Sequence, residues 1–442
     1  MGYKLRDYQE GANRDLLPLL VKHRKVVAVA GTGAGKTVMM TRLIYDALPN
    51  TKGKIAVFVD SIDLVKQTSE AFQKQGIQHQ RITAKTKVIY DDFQVYIVMV
   101  QTYLSRIKKT PDYLPGVTFC VVDECHIKTY NQLMEVYPEA YFLGYTATPI
   151  YMGKKESMSD YYNYCHVIKD VPDLIDMGAL NPEKAYVTQL GANDLDKLKK
   201  SSTGDFTGSS LDLVFNSERI IDLTYAQWNE RCRGIKTVIY ASSIEHCAAL
   251  TEYFTARGVN CRSQDSKNNS DAQRTSTVQW FREAKGEAVL INVATFVKGF
   301  DVPDIGAIIL AFSTLSLSKF VQVCGRAGRL AEGKDSFILI DLGNNILKAN
   351  GKENHGLWSK PRDWKSLFEG KRSSDLEGAA PMRFCDPCGF INPMSATVCG
   401  GCGYEFPKRD KEKEMPEEIK VIEFKSRRGA TIKTNEGGKW KF

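Results

Sequence analysis

Three strings of residues in this chain could together carry out phosphoryl chemistry. They are A-G-T-G-A-G-K-T at 30–37, D-E-C-H at 123–126 and Q-V-C-G-R-A-G-R at 322–329. In the first, Gly33, Ala34 and Gly35 leave main-chain N–H groups open to phosphate oxygens, and a helix expected from Val38 to Ala47 adds its N-terminal dipole. Lys36 would reach the β- and γ-phosphates, and Thr37 would hold Mg2+. In the second, Asp123 would hold Mg2+ and Glu124 would orient and deprotonate an attacking water. In the third, Arg326 and Arg329 stand three apart, so on a helix running from Ser318 both project toward one side. A guanidinium at the γ-phosphate stabilises charge that develops during transfer, an effect of about 10³–10⁵ in rate. The strings describe ATP in a cleft whose second wall supplies the arginines.

The elements around these strings fit that placement. Lys25 to Ala30 is a short β-branched run, as a buried parallel strand should be, and it leads straight into the glycines. Further strands are expected at Ile55–Val59, Val95–Val100, Phe119–Val122 and Tyr141–Tyr145, with a helix over Ser61–Lys74. A carboxylate pair at the end of an apolar strand lies where open α/β sheets bind ligands. After residue 235 the rhythm resumes: strands at Thr237–Ala241, Ala288–Val293 and Ala307–Ala311, and a helix at Ser243–Gly258. Between 150 and 235 the pattern is faint. Ser201 to Ser210 reads as a flexible loop by composition, and Tyr161, Tyr162 and Tyr164 read as packing residues.

In this order and spacing the motifs resemble those of superfamily 2 helicases, over residues 3–345. Ala30 stands where the general phosphate-loop pattern begins with Gly, and the family often has Ala there. The resemblance implies an α/β fold of two tandem RecA-like lobes, each a doubly wound parallel sheet. The first lobe would span 1–178 and the second 236–350, joined by a connector at 179–235. L-R-D-Y-Q at 5–9 is similar to the segment whose Gln recognises adenine, which assigns Tyr8 and Gln9 to the nucleotide. D-E-C-H is similar to the family's D-E-x-H box, and T-A-T-P at 146–149 to the motif that couples ATP state to the lobe interface. His126, Thr146 and Thr148 are the coupling residues on this reading. Gln101 and Thr102 match a motif that touches the nucleic-acid backbone. In G-F-D-V-P at 299–303, Gly299 would lie near that strand and Asp301 near the ribose. Gln322 is similar to the residue that senses the γ-phosphate.

Cys385-x-x-Cys388 and Cys399-x-x-Cys402 are separated by ten residues. Two such knuckles put four thiolates within reach of one Zn2+, closed and structural, with a redox pair as the alternative. A small four-cysteine zinc ribbon at 383–406 has too few residues for a core of its own, so metal must carry its folding. Either nucleic-acid contact or partner docking would suit it. Residues 351–382 read as a linker, with Trp358 and Trp364 packing it onto the second lobe. The tail at 407–442 ends basic with Phe424 and Trp440 interleaved. It reads either as a strand-binding segment or as a solvated hairpin.

A net charge of +8 over 442 residues fits a nucleic-acid partner without demonstrating one. No apolar run reaches membrane length and the first residues lack a signal-peptide core, so the expected place is the cytoplasm, that of the host if a phage encodes the chain. Cys120, Cys125, Cys165, Cys232, Cys247, Cys261 and Cys324 read as free thiols in or near the core. The segment after the second lobe, with the ribbon, resembles compact phage and prophage helicases, some of which unwind or branch-migrate forks and Holliday junctions. That implies branched or forked DNA as partner, alongside replication or recombination proteins, with a monomer as admissible as any oligomer. No residue separates DNA from RNA. An RNA helicase or the translocating subunit of a restriction system would share every motif. A scaffold with a dead ATP site is the remaining class, and intact Lys36, Asp123, Glu124 and Arg326 argue against it.

Overall fold

A computed structural model describes residues 2–152, 156–188, 194, 196–202, 204–265, 269–293, 302–348, 354–371, 382–385, 391–393 and 396–406. Gly299, Asp301, Cys388 and the tail from 407 lie outside the described residues. Within them, two parallel sheets follow one another along the chain. The first holds β1 (Lys25–Ala30), β2 (Lys54–Val59), β3 (His79–Ile82), β4 (Val95–Met99), β5 (Val117–Asp123), β6 (Tyr141–Thr146) and β7 (Tyr164–Lys169), in the order β3-β4-β2-β5-β6-β1-β7. The second holds β8 (Glu183–Val187), β9 (Lys236–Ala241), β10 (Cys261–Gln264), β11 (Ala288–Val293), β12 (Ala307–Ala311) and β13 (Phe337–Asp341), in the order β10-β11-β9-β12-β13-β8. A short antiparallel pair, β14 (Met382–Phe384) with β15 (Ile391–Pro393), begins the cysteine module.

Both faces of each large sheet are covered, which is why inner strands such as β1, β2, β4 and β12 are near-continuous apolar runs, while the edge strands β3, β8 and β10 carry polar residues. Along β1, Val26, Ala28 and Ala30 face one core and Val27 and Val29 the other. The helices Asp7–His23, Lys36–Ala47 and Ile62–Gln75 supply buried residues such as Leu16, Leu43 and Phe72 to the first of these. In the second lobe Val238 and Tyr240 of β9 face one side and Ile239 and Ala241 the other.

Register brings the sequence motifs together. Asp123 of β5 lies opposite Tyr145 of β6, and Thr146 of β6 lies opposite Val29 of β1. The phosphate-loop string, D-E-C-H and T-A-T-P therefore leave the sheet at the same edge, although more than a hundred residues separate the first from the last. Gly144 keeps this edge tight. A Cβ there would stand 2.6 Å from Cys125 Sγ and 2.9 Å from the Tyr162 hydroxyl.

The stretch 179–235 is more structured than its faint pattern implies. β8 pairs with β13 at the edge of the second sheet, and the helix Glu218–Arg231 packs Ile221 and Trp228 against that sheet. The expected flexible loop at 201–210 is pinned: Asp205 accepts from Thr314 Oγ1 and from Leu315 N, both at 2.7 Å. The expectation for the two tryptophans also needs correction. Trp358 does pack on Phe337 of the second lobe. Trp364, however, joins the first-lobe core beside Cys165 and Tyr162. The segment between them spans the lobes, with Arg362 N donating to Asp170 Oδ2 at 3.1 Å. No helix among the described residues is long and apolar enough to cross a membrane.

Candidate nucleotide site between the lobes

The loop after β1 is shaped by two left-handed glycines, Gly33 (φ 91°) and Gly35 (φ 80°), the second capping the helix that starts at Lys36. Any other residue type would be strained at those angles. Gln9 Nε2 and the Tyr8 hydroxyl both donate to Ala34 O, at 2.9 and 2.8 Å. A Cβ on Gly35 would stand 2.5 Å from Gln9 Nε2, so a side chain there would push the Gln9 amide off Ala34 O. Thr37 is the second residue of the helix, at its positive end.

Lys36 Nζ stands 3.9 Å from Glu124 Oε1 and donates to Ala30 O at 3.4 Å. Glu124 is one of only three non-glycine residues with positive φ among the described residues, at 53°. That conformation costs on the order of 1–3 kcal/mol and persists where surroundings over-determine it. Here they do. His126 Nδ1 lies 3.3 Å from Glu124 Oε2 and 2.9 Å from Thr146 Oγ1. Thr146 Oγ1 in turn accepts from Thr148 N at 3.0 Å. Burial pushes the Glu124 carboxyl up, but Lys36, His126 and Arg326 outweigh it and hold the group below the usual carboxylate range. Asp123 moves the other way, raised by burial and by the adjacent Glu124 charge. A divalent cation beside Asp123 and Thr37 would offset both causes.

The second lobe completes the cleft. Gln322 Nε2 is 3.5 Å from Glu124 Oε2 and 3.4 Å from His126 Nε2. Thr148 Oγ1 and Ser318 Oγ are 2.6 Å apart across the lobes. Gly325 meets Thr32, and a Cβ on it would stand 2.6 Å from the Thr32 Cβ. One expectation is corrected: Arg326 and Arg329 are not on a helix. The helix is Leu317–Cys324, capped by Gly325, and both arginines lie in the turn that follows. The turn still brings Arg326 close enough for its charge to act on Glu124. Burial lowers both guanidiniums from their ordinary range. Ser318 and Asp205 carry no motif, and nothing in their local sequence singled them out.

Gln101 and Thr102 lie on the helix Val100–Ile107, the first exposed and the second half-buried. In the C-terminal module the sulfurs of Cys385, Cys399 and Cys402 lie within 4.8 Å of one another. Cys399 Sγ accepts from Gly401 N at 3.3 Å and Asn392 Nδ2 at 3.5 Å. Burial pushes the Cys399 thiol up, but the Cys402 main-chain N–H first, then Gly401 N, Asn392 and Cys385, outweigh it and lower the group to about 6. A thiolate-ready cluster with main-chain N–H donors to sulfur suits a soft metal ion.

Residues 2–151 match the model of the type III restriction enzyme res subunit, and residues 217–331 match the helicase conserved C-terminal domain. The chain carries a superfamily 2 helicase domain. It is of the general ATP-dependent helicase or translocase type, with phage and viral homologues. The chain is 26% identical over 397 residues to a 51.5 kDa protein of Lactococcus phage (isolate 7-9), across 88% of this chain and 81% of that one. It is 26% identical over 402 residues to the putative ATP-dependent helicase IRC3 of Saccharomyces cerevisiae, across 84% of this chain but 54% of the yeast protein. In fold it is similar to the ATP-dependent type ISP restriction-modification enzyme LlaBIII bound to DNA, with a TM-score of 0.57 and 17% identity, across 77% of this chain and 28% of that one.

Proposed function

We propose that this helicase hydrolyses ATP in the cleft between its lobes and uses the cycle to translocate along DNA. The observation that carries the reading is the convergence of Gln322 and Arg326 from the second lobe on Glu124 and His126 of the first. In the cycle, Lys36 and the N–H groups of Gly33 to Gly35 hold the phosphates, with Tyr8 and Gln9 on the base side. Thr37 and Asp123 would hold Mg2+, which would supply charge neutralisation on the phosphates. Glu124 aligns the attacking water and accepts its proton. Arg326 neutralises charge on the transferring group, and Gln322 and His126 report its loss through Thr146 and Thr148 to the Ser318 contact. Closing and reopening the lobes around this contact would shift each lobe's grip on the strand.

The choice of translocation draws on the restriction-subunit model that the first lobe matches and on the DNA in the LlaBIII structure. Unwinding or branch migration of forked or junction DNA is the narrower reading, supported by likeness to the phage protein over most of both chains. Steady-state ATP hydrolysis with linear duplex, single-stranded, forked and four-way-junction DNA and with structured RNA separates them, using Lys36→Ala as the blank. Stimulation by linear duplex supports translocation, and preference for forks or junctions supports remodelling. Stimulation by RNA alone would reject DNA as the track.

The cysteine module is a structural Zn2+ site on this reading, with Cys385, Cys399 and Cys402 joined by Cys388. Chelation should unfold residues 383–406 and leave ATP hydrolysis by the lobes intact, because no described cysteine of the module lies in the cleft. Elemental analysis of protein purified without chelators should find one zinc per chain, an occupancy of about 1; its absence would reject the ribbon.

A further inference from the structure

The turn that carries Arg326 and Arg329 begins where its helix ends, at Cys324. Several of its carbonyls are held by two residues from outside the turn. The Lys334 ammonium donates to Ala327 O at 2.5 Å and to Arg329 O at 3.0 Å. The same ammonium donates to Pro303 O at 2.9 Å, so it also joins the turn to the end of the G-F-D-V-P string. Lys334 is aimed by a tight turn of its own, in which Lys334 N donates to Ala331 O at 3.2 Å and Gly333 has φ 71°. Asn181 is buried and approaches from the other side. Its main-chain N–H donates to Gly328 O at 2.7 Å, and its Nδ2 donates to Arg329 O at 3.2 Å and Lys334 O at 3.1 Å. Leu180, next to it, touches the phosphate loop: a Cβ on Gly33 would stand 2.8 Å from Leu180 Cδ2.

An ammonium has three donors and no acceptor, and here all three meet main-chain carbonyls. Charge-assisted bonds of this kind are roughly twice as strong as neutral ones. Beside the bonds from Arg326 N to Val323 O at 3.3 Å and from Ala327 N to Cys324 O at 3.1 Å, these contacts fix the turn and so direct its side chains. We propose that Lys334, assisted by Asn181, is a positioning residue for ATP turnover that sets where the Arg326 and Arg329 guanidiniums stand. The inference rests on the reading of Arg326 as the group that neutralises the transferring phosphoryl charge.

Burial lowers the Lys334 ammonium to about 8, with Asp304 opposing and Arg329 adding to the shift. Asp304 is itself paired with Lys236 at 2.7 Å. The clamp is therefore complete below that pH and weakens as pH rises through it, because the neutral amine loses its charge and one of its three donors.

The test uses the full chain, DNA-stimulated ATP hydrolysis and circular dichroism to check folding. Lys334→Met should lower kcat by about 30- to 100-fold with the KM for ATP within about twofold, the effect of a displaced rather than a missing group. Asn181→Ala should lower kcat by about 10-fold, since it keeps the main-chain bond to Gly328. Lys334→Arg should stay within about threefold of the unaltered protein and move its alkaline fall in kcat to higher pH, because a guanidinium keeps its charge. In an Arg326→Ala background, Lys334→Met should add less than about twofold, as expected of residues acting through one another.

Full turnover in Lys334→Met beside an impaired Arg326→Ala overturns the clamp alone. So does a multiplied loss in the double variant, or one pH profile shared with Lys334→Arg. A fully active Arg326→Ala instead removes the reading of the cleft, and the clamp falls with it. If Lys334→Met does not fold, Asn181→Ala and the Lys334→Arg profile decide the matter.

Discussion

Changing Arg326 to Ala lowers the kcat of ATP hydrolysis by about 10³-fold or more, within the range known for arginines that serve a transferring phosphoryl group. Three observations set this expectation. The side chain stands in the turn after the helix Leu317–Cys324, which belongs to the second lobe. Its charge acts on Glu124 of the first lobe, and Gln322 from the same helix reaches Glu124 Oε2 at 3.5 Å. Burial lowers the guanidinium from its ordinary range, so the group is kept away from bulk water, where its field would be screened. Removal should leave the KM for ATP within about threefold, because the interaction strengthens only as charge develops. Arg326→Lys should not restore the rate, since an ammonium offers one point charge in place of a planar fork. Single-turnover hydrolysis with the ATP concentration varied measures both quantities. A kcat within about twofold of the unaltered protein would take Arg326 out of the chemistry.

Changing Glu124 to Gln lowers turnover by about 10²–10⁴-fold, the usual range for a lost general base, and leaves ATP and nucleic-acid binding in place. The substitution keeps the shape of the side chain and removes its charge and its capacity to take a proton. Glu124 is suited to that role by where it is held. Its φ of 53° turns the carboxylate out of the strand direction toward Lys36, 3.9 Å away, and His126, 3.3 Å away. Lys36, His126 and Arg326 keep it ionised against burial. The neighbouring Asp123 should respond in the opposite sense: with the Glu124 charge gone, one cause of its raised pKa disappears. Glu124→Gln also gives up the favourable pairing of the carboxylate with Lys36, His126 and Arg326, so it should fold less stably, and circular dichroism beside turnover checks that the loss is one of chemistry. Equilibrium binding of a non-hydrolysable ATP analogue, measured beside turnover, separates the two. Full activity in the variant would sink the assignment of Glu124 as base.

The nucleotide cleft was largely legible from the chain because its chemistry is carried by contiguous strings. A-G-T-G-A-G-K-T follows a β-branched run, D-E-C-H ends another, and T-A-T-P ends a third. In a parallel sheet each strand's carboxyl end lies on the same side, so residues at those ends must meet. The pairings Asp123 with Tyr145 and Val29 with Thr146 are that rule in this molecule. The clustering of Cys385, Cys399 and Cys402 was equally explicit, since two short C-x-x-C spacings need only a small module to bring their sulfurs together.

What stayed hidden depends on residues far apart in sequence. β8 shows no clean periodicity yet forms the edge of the second sheet through β13, some 150 residues later. Trp364 reads like any aromatic in a linker, and only the folded chain returns it to Cys165 and Tyr162 of the first lobe. The arginines suggested a helix because their spacing is helical. Gly325 ends the helix just before them, and main-chain bonds to Lys334 and Asn181 take over.

The sequence by itself determined the chemical parts: a phosphate loop, a carboxylate pair, a Thr pair at a strand end, arginines and a cysteine cluster. These are legible because each needs particular atoms at short range along the chain. The tertiary structure alone decided the left-handed turn at Glu124, the seating of Gln322 and Ser318 against the first lobe, and the clamp on the arginine turn. Those depend on ion pairs and hydrogen bonds between groups that become neighbours only when both sheets are packed.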